Sequence, residues 1–89
     1  QRDLKDKKSA LLLQINSTEA DLSAKKIALS TAMASHKRTR DLLRVKGASK
    51  EKFDQEKSQI EGLKAAITSL GNKVSILHAN LSEIQTALS

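Results

Sequence analysis

The second half of the chain repeats apolar residues at a spacing of seven, and this repeat restricts the fold more than any other feature. Both apolar positions of the heptad, a and d, are filled over five heptads, with Glu56 as the polar exception. Such a pattern is typical of one strand of a coiled coil, whose a and d residues face a partner helix. We call this line of residues the seam, and in this half it comprises Phe53, Ile60, Leu63, Ile67, Leu70, Val74, Leu77, Leu81 and Ile84.

The first half carries a weaker heptad line that can serve as the partner strand. Its apolar members are Ile15, Leu22, Leu29 and Leu43, and polar residues such as His36 fill the other steps. If the chain folds back near residue 48, the two lines superpose, because the residue numbers of each facing pair add to the same total. The expected pairs are Leu43 with Phe53, Leu29 with Ile67, Leu22 with Val74, and Ile15 with Leu81.

A short segment between the two heptad lines has the chemistry of a helix-to-helix turn. Gly47 suits the left-handed residue that follows a helix C-terminus, and Ser49 is a preferred N-cap. We therefore predict helix 1 over about residues 2–46, a turn over 47–49 that includes Ala48, and helix 2 over about 50–88. The predicted fold is all-α, a two-helix antiparallel coiled-coil hairpin.

The sequence offers no chemistry of the kind that enzymes use. It contains no cysteine, no Gly-rich phosphate loop and no HExxH pattern. A two-helix hairpin also provides no enclosed pocket in which a pKa could be perturbed. We expect no enzymatic activity, no cofactor and no metal site.

The two histidines and the acidic residues of helix 2 are expected to be structural. His36 falls on the seam and is expected to be half-buried, whereas His78 is expected to face solvent. Asp54, Glu56 and Glu61 look like ordinary charges of a helix surface. No apolar run approaches the roughly 20 residues that a transmembrane helix requires.

The net charge of +6 is concentrated in the first half of the chain. Residues 1–46 hold eleven Lys or Arg and five Asp or Glu, while residues 47–89 hold five of each. This balance favours an acidic or hydrogen-bond-accepting partner near the turn. The basic patch there consists of Lys37, Arg38, Arg40, Arg44 and Lys46, with Asp41 among them.

The residues around the turn resemble a known family. The stretch Gly-Ala-Ser-Lys-Glu-Lys-Phe-Asp-Gln, which opens helix 2, is similar to the start of the return helix in periplasmic membrane fusion proteins. These proteins are the adaptors of tripartite efflux pumps and type I secretion systems. Many of them carry Arg, Leu and Ser at the hairpin tip in an R-x3-L-x6-S spacing, which Arg38, Leu42 and Ser49 match here.

The resemblance implies a docking role for these three residues on a TolC-type outer-membrane channel. Leu42 would pack into a groove of the helical tip of the channel, Arg38 would hydrogen-bond to channel carbonyls or side chains, and Ser49 would add a small polar contact. It further implies side-by-side assembly with neighbouring adaptor subunits, commonly six. An inner-membrane transporter would be contacted through domains outside this chain.

The same resemblance implies a location in the periplasm of a Gram-negative bacterium, with the full-length protein anchored to the inner membrane. The start at Gln1 and the heptads that run to Ser89 lead us to expect an excerpt of a longer protein. The transported substrate and the transporter class are not specified by a hairpin.

Two other functions fit the same sequence. Some tRNA synthetases hold RNA with a coiled-coil arm, and the basic patch would suit phosphates. However, helix 2 has balanced charges and Phe53 is the single aromatic residue that could stack on a base, so no nucleic acid partner is expected. A purely structural coiled-coil rod would explain the heptads equally well, and it would make the R-x3-L-x6-S match a coincidence.

Overall fold

The computed structural model describes residues 2–89, and over this range the chain forms two long helices and no strand. Helix α1 spans Arg2–Arg44 and helix α2 spans Lys50–Leu88. The two helices pack against each other, so the prediction of an all-α antiparallel hairpin is confirmed. Within residues 2–89, neither helix combines the length and apolarity that crossing a bilayer demands.

The hairpin divides into two compact units. The terminal unit pairs the start of α1 with the end of α2 and is described over residues 2–23 and 68–89. The turn unit comprises residues Ala24–Ile67 and contains the connection between the helices.

The terminal unit is held together by a small apolar cluster. Leu11 and Ile15 of α1 pack with Leu77 and Leu81 of α2, and Ile84 lies against them. This grouping brings Ile15 and Leu81 together, as the folded-back heptads predict. Ile15 has the lowest exposure of the apolar side chains, at 3%.

A polar seam residue of the terminal unit is buried without loss of hydrogen bonding. Thr18 is 4% exposed, and its hydroxyl donates to the backbone carbonyl of Gln14 at 2.8 Å. This bond satisfies the hydroxyl within its own helix, so a threonine can occupy a seam position at little cost. On the exposed side, His78 Nε2 lies 3.2 Å from Glu19 Oε1 of the other helix.

Every predicted seam residue is either buried or half-buried. The buried members are Ile15, Ile60, Leu77 and Leu81; the half-buried members are Leu22, Leu29, Leu43, Phe53, Leu63, Ile67, Leu70, Val74 and Ile84. In a two-helix interface each seam side chain is covered by its own helix and by one partner helix. Its other sides stay open to solvent, so partial exposure is expected. The described part of the chain consequently relies on a small number of buried apolar residues.

Helix α1 ends in a Schellman motif. The Gly47 N–H donates to the Leu42 carbonyl at 2.7 Å, and the Lys46 N–H donates to the Leu43 carbonyl at 3.1 Å. These are the 6→1 and 5→2 bonds that satisfy the last carbonyls of a helix. The helix therefore ends at Arg44, earlier than the predicted Lys46.

The left-handed residue of this motif is Lys46, with φ of 58°, and no glycine has a positive φ within residues 2–89. The prediction that Gly47 takes this conformation is wrong. The hydrogen bonds explain the difference, because they make Val45 the C-cap, Lys46 the left-handed residue after it and Gly47 the residue beyond that. An L-residue with a side chain pays about 1 kcal/mol or more for this backbone conformation.

We expect Lys46→Gly to raise the free energy of unfolding by about 1 kcal/mol, because glycine adopts a positive φ without steric cost. Removal of the lysine charge near the helix C-terminus offsets part of this gain. Lys46→Ala is the matched control, because it removes the same charge and keeps the Cβ. Thermal and denaturant unfolding followed by circular dichroism would measure both variants. Equal stability of the two would contradict the role assigned to φ.

Helix α2 begins as the sequence predicts. Ser49 Oγ accepts a hydrogen bond from the Lys52 N–H at 3.1 Å, and the Ser49 carbonyl accepts the Phe53 N–H at 3.2 Å. Ser49 is therefore the N-cap of α2, and Glu51 lies in the first turn, where a carboxylate is stabilised by the helix dipole.

Candidate functional site

Arg38, Leu42 and Ser49 are all exposed and belong to the turn unit. Arg38 and Leu42 are separated by four residues in α1, so their side chains share one face of the helix. Ser49 lies across the turn, at the start of α2. Each of the three side chains is therefore accessible to a partner that approaches the turn.

Leu42 is placed by the turn itself. Its carbonyl accepts the Gly47 N–H, and a Cβ added to Gly47 would lie 3.3 Å from Leu42 Cδ2 and 3.4 Å from the Leu42 carbonyl oxygen. Gly47 thus leaves room for the Leu42 side chain, which is 48% exposed. The sequence suggested Gly47 for its backbone conformation. In the structure, the absence of a Cβ at Gly47 leaves space for the Leu42 side chain.

Val45 enlarges the apolar surface at the end of α1 and was not among the predicted site residues. It is 73% exposed and follows Leu42 by three residues. An apolar residue off the seam and directly beside the predicted turn is the sequence signal that could have identified it. Leu42 and Val45 together present apolar surface beside the turn.

Ser49 already uses its hydroxyl oxygen as the helix cap. A serine hydroxyl also has one proton to donate, and no hydrogen bond from it is needed for the cap. A partner can therefore accept from Ser49 while α2 stays capped. Any substitution at this position must keep the capping function if it is to report on binding.

The basic patch is solvent-exposed along its length. Within it, Arg40 Nε lies 3.7 Å from Asp41 Oδ1, and both side chains are at least half-exposed. An exposed pair of this kind contributes little to stability. The other cations of the patch, Lys37, Arg38, Arg44 and Lys46, keep the turn end of α1 positively charged.

A polar cluster interrupts the apolar seam in the turn unit. The Glu56 carboxylate lies 3.1 Å from His36 Nδ1 and accepts the Thr39 hydroxyl at 3.0 Å. Because an ionised carboxylate only accepts hydrogen bonds, His36 Nδ1 carries the proton of this pair. The His36 ring also lies against Phe53, with ring centroids 4.4 Å apart.

The expectation that Glu56 is an ordinary surface charge is wrong. Its side chain is 18% exposed, as is that of His36, and Thr39 is 3% exposed. The hydrogen bond from His36, followed by the one from Thr39, lowers the pKa of the Glu56 carboxyl below its usual value. His36 is half-buried on the seam, as predicted, whereas Thr39 was missed.

The remaining predicted surface positions are placed as expected. Asp54, Glu61 and His78 are exposed. Over residues 2–89, no group of three or more His, Cys, Asp or Glu side chains is arranged to hold a metal ion.

No known protein family, curated protein or solved structure matches the chain. A two-helix hairpin is common to several functional classes and is not specific to membrane fusion proteins. The residues at the turn are therefore the features of this chain that point to a function.

Proposed function

We propose that this chain is the α-helical hairpin of a periplasmic membrane fusion adaptor, and that its turn docks onto the periplasmic end of a TolC-type outer-membrane channel. The observation that carries the proposal is the exposure of Arg38, Leu42 and Ser49 together at a turn with the R-x3-L-x6-S spacing. Each belongs to a helix end or turn that fixes its backbone.

The chemistry of these side chains suits a helical partner. Full burial of a leucine side chain contributes about 1.5–3 kcal/mol, and Leu42 has half of its surface still available for burial. Arg38 carries five N–H donors, which match backbone carbonyls at a helix C-terminus or a carboxylate. Ser49 donates its remaining hydroxyl proton.

The proposal extends to the assembly that such adaptors form. Neighbouring adaptor subunits, commonly six, would lie side by side and present their turns together to the channel. Simultaneous docking of several turns gives an overall affinity well above that of a single turn. In this proposal the full-length protein is anchored to the inner membrane, contacts an inner-membrane transporter and spans the periplasm.

Binding of a multimerised hairpin to the periplasmic tip of a TolC-type channel tests the proposal. We expect Leu42→Asp and Arg38→Asp each to weaken binding at least about tenfold, which corresponds to about 1.4 kcal/mol. Leu13→Asp is the matched control for leucine, since Leu13 is a 71% exposed residue of the terminal unit. Arg2→Asp makes the same charge change at the other end of α1.

Two further variants separate docking from capping. Ser49→Asp keeps an N-cap acceptor, whereas Ser49→Ala removes it and costs about 1 kcal/mol of helix stability. The docking proposal fails if the folded, multimerised hairpin does not bind, or if Leu42→Asp and Leu13→Asp bind equally well.

The exposed basic patch supports one alternative, an RNA-binding arm. Such an arm would bind RNA with an affinity that falls steeply as salt concentration rises. Steep salt dependence without channel binding would favour that alternative. If the hairpin binds neither the channel nor RNA, the remaining function is that of a structural coiled-coil rod.

A further inference from the structure

A groove runs along one side of the turn unit, separate from the docking residues. It has a volume of about 610 Å³ and is lined by residues of both helices between Met33 and Lys64. Leu42, Val45 and Ser49 are not among its lining residues. The groove is therefore a surface that channel docking does not use.

The floor of the groove is mainly apolar, with His36 as its polar member. Ile60 is 7% exposed and Phe53 is half-buried, while Met33 is 48% exposed. Phe53 at the floor and Met33 at its edge provide a large and adaptable contact surface. A partner that covers this floor removes apolar area from water, which is the main driving force for association.

The rims of the groove are basic on both helices. Lys37 and Arg40 line it from α1, and Lys57 and Lys64 line it from α2; Glu61 is the single acidic residue on the rim. Asp41 offsets part of the Arg40 charge. Lys37 and Lys57 still place a cation on each side of the apolar floor.

A second hollow of the same unit has a different character. Its lining residues are Ala28, Thr31, Ala32, Ser35, Glu56 and Gln59, with no lysine or arginine and no large apolar side chain. The apolar floor and basic rims therefore distinguish the first groove, which we call the basic groove, from this hollow.

We propose that the basic groove seats an acidic amphipathic helix of a partner protein, as the third helix of a local three-helix bundle. A groove between two antiparallel helices is the surface that a third helix covers, with its apolar face down. Acidic residues that flank the apolar stripe of an incoming helix can face Lys37 on one rim and Lys57 on the other.

The charge of the chain decides between the candidate occupants. If two copies paired through this groove, the basic rims of one would face the basic rims of the other, which disfavours self-association at this surface. A small ligand normally has most of its surface enclosed, whereas the lysines and Met33 around the basic groove remain exposed to solvent. An acidic amphipathic helix covers the apolar floor with its apolar face and pairs its carboxylates with the basic rims.

A labelled three-heptad peptide, with Leu at a and d and Glu at e and g, is the probe for this proposal. Fluorescence anisotropy would compare it with the same peptide carrying Lys at e and g, and with one carrying Ser at a and d. We expect the Glu peptide to bind at least tenfold more tightly than either. Equal binding of the Glu and Lys peptides would overturn the proposal.

Variants of the chain locate the binding surface. We expect Lys37→Glu, Lys57→Glu and Met33→Asp each to weaken binding of the Glu peptide at least fivefold. The matched controls are Lys26→Glu and Ile27→Asp, at exposed positions of the turn unit outside the basic groove. Equal effects of groove and control variants would place the peptide elsewhere and refute the proposal.

Leu42→Asp keeps the two proposals distinguishable. It is expected to weaken channel docking and to leave peptide binding unchanged, because Leu42 does not line the basic groove. Oleate provides the last comparison: stoichiometric binding of oleate that excludes the Glu peptide would identify the groove as a site for anionic amphiphiles and overturn the helical occupant.

Discussion

Replacement of Ile15 by alanine is expected to lower the free energy of unfolding by about 3 kcal/mol. Ile15 is 3% exposed and packs in the cluster that holds the terminal unit together. Truncation removes most of its buried apolar surface and leaves a cavity that rigid helices fill only in part. Since small domains are stable by only about 5–15 kcal/mol, this loss would be large.

Ile76→Ala is the control for this prediction. Ile76 belongs to the same unit and to a helix interior, but it is 61% exposed. Both substitutions gain the same helix propensity, about 0.4 kcal/mol, so the difference between them isolates burial. Denaturant unfolding followed by circular dichroism measures both. A similar stability for the two variants would show that the terminal cluster is not the principal core of its unit.

Replacement of Ile60 by alanine is expected to have the second largest effect, a loss of about 2–3 kcal/mol. Ile60 is the one buried apolar residue of the turn unit among residues 24–67, at 7% exposure. Its half-buried neighbours on the seam offer less burial, so they cannot replace its contribution. The loss should therefore be felt most strongly in this unit.

Ile27→Ala serves as the control in the turn unit, because Ile27 is 66% exposed. Amide hydrogen exchange would locate the effect of Ile60→Ala, and we expect faster exchange between residues 24 and 67 than in the wild-type chain. Acceleration confined to the terminal unit would contradict the assignment of Ile60 as the main support of the turn unit.

Much of this architecture could be predicted from spacing alone. The heptads of α2 identify Leu77 and Leu81 as core residues, and the superposition of the two lines places Ile15 beside them. The N-cap role of Ser49 also follows from sequence, because capping is a local interaction that involves residues three positions apart. Local interactions such as helix capping, and strict heptad spacing, can be read directly from the sequence.

Features that depend on contacts across the hairpin were predicted less well. Glu56 looked like a surface charge because its partners, His36 and Thr39, are distant in sequence and come from the other helix. Thr39 is polar and so gave no apolar signal, although it is among the most buried residues. The conformation of Lys46 depends on where the helix ends, and Gly47 is the residue that propensity favours for that role.

The candidate sites divide in the same way. The proposed docking residues Arg38, Leu42 and Ser49 could be named from their spacing and from a family resemblance. The basic groove could not, because Met33 and Lys37 of α1 form it with Phe53 and Lys57 of α2. Only the antiparallel pairing brings these residues to a common surface.

The polar cluster also favours α1 as the helix with which α2 pairs. The heptads of α2 alone would suit a parallel homodimer, in which each a and d residue faces its own copy. In that dimer the two Glu56 carboxylates would face each other across the seam, with like charges and no donor between them. Opposite α1, the same carboxylate receives hydrogen bonds from His36 and Thr39. A single acidic seam residue thus favours folding within one chain over association between newly made chains.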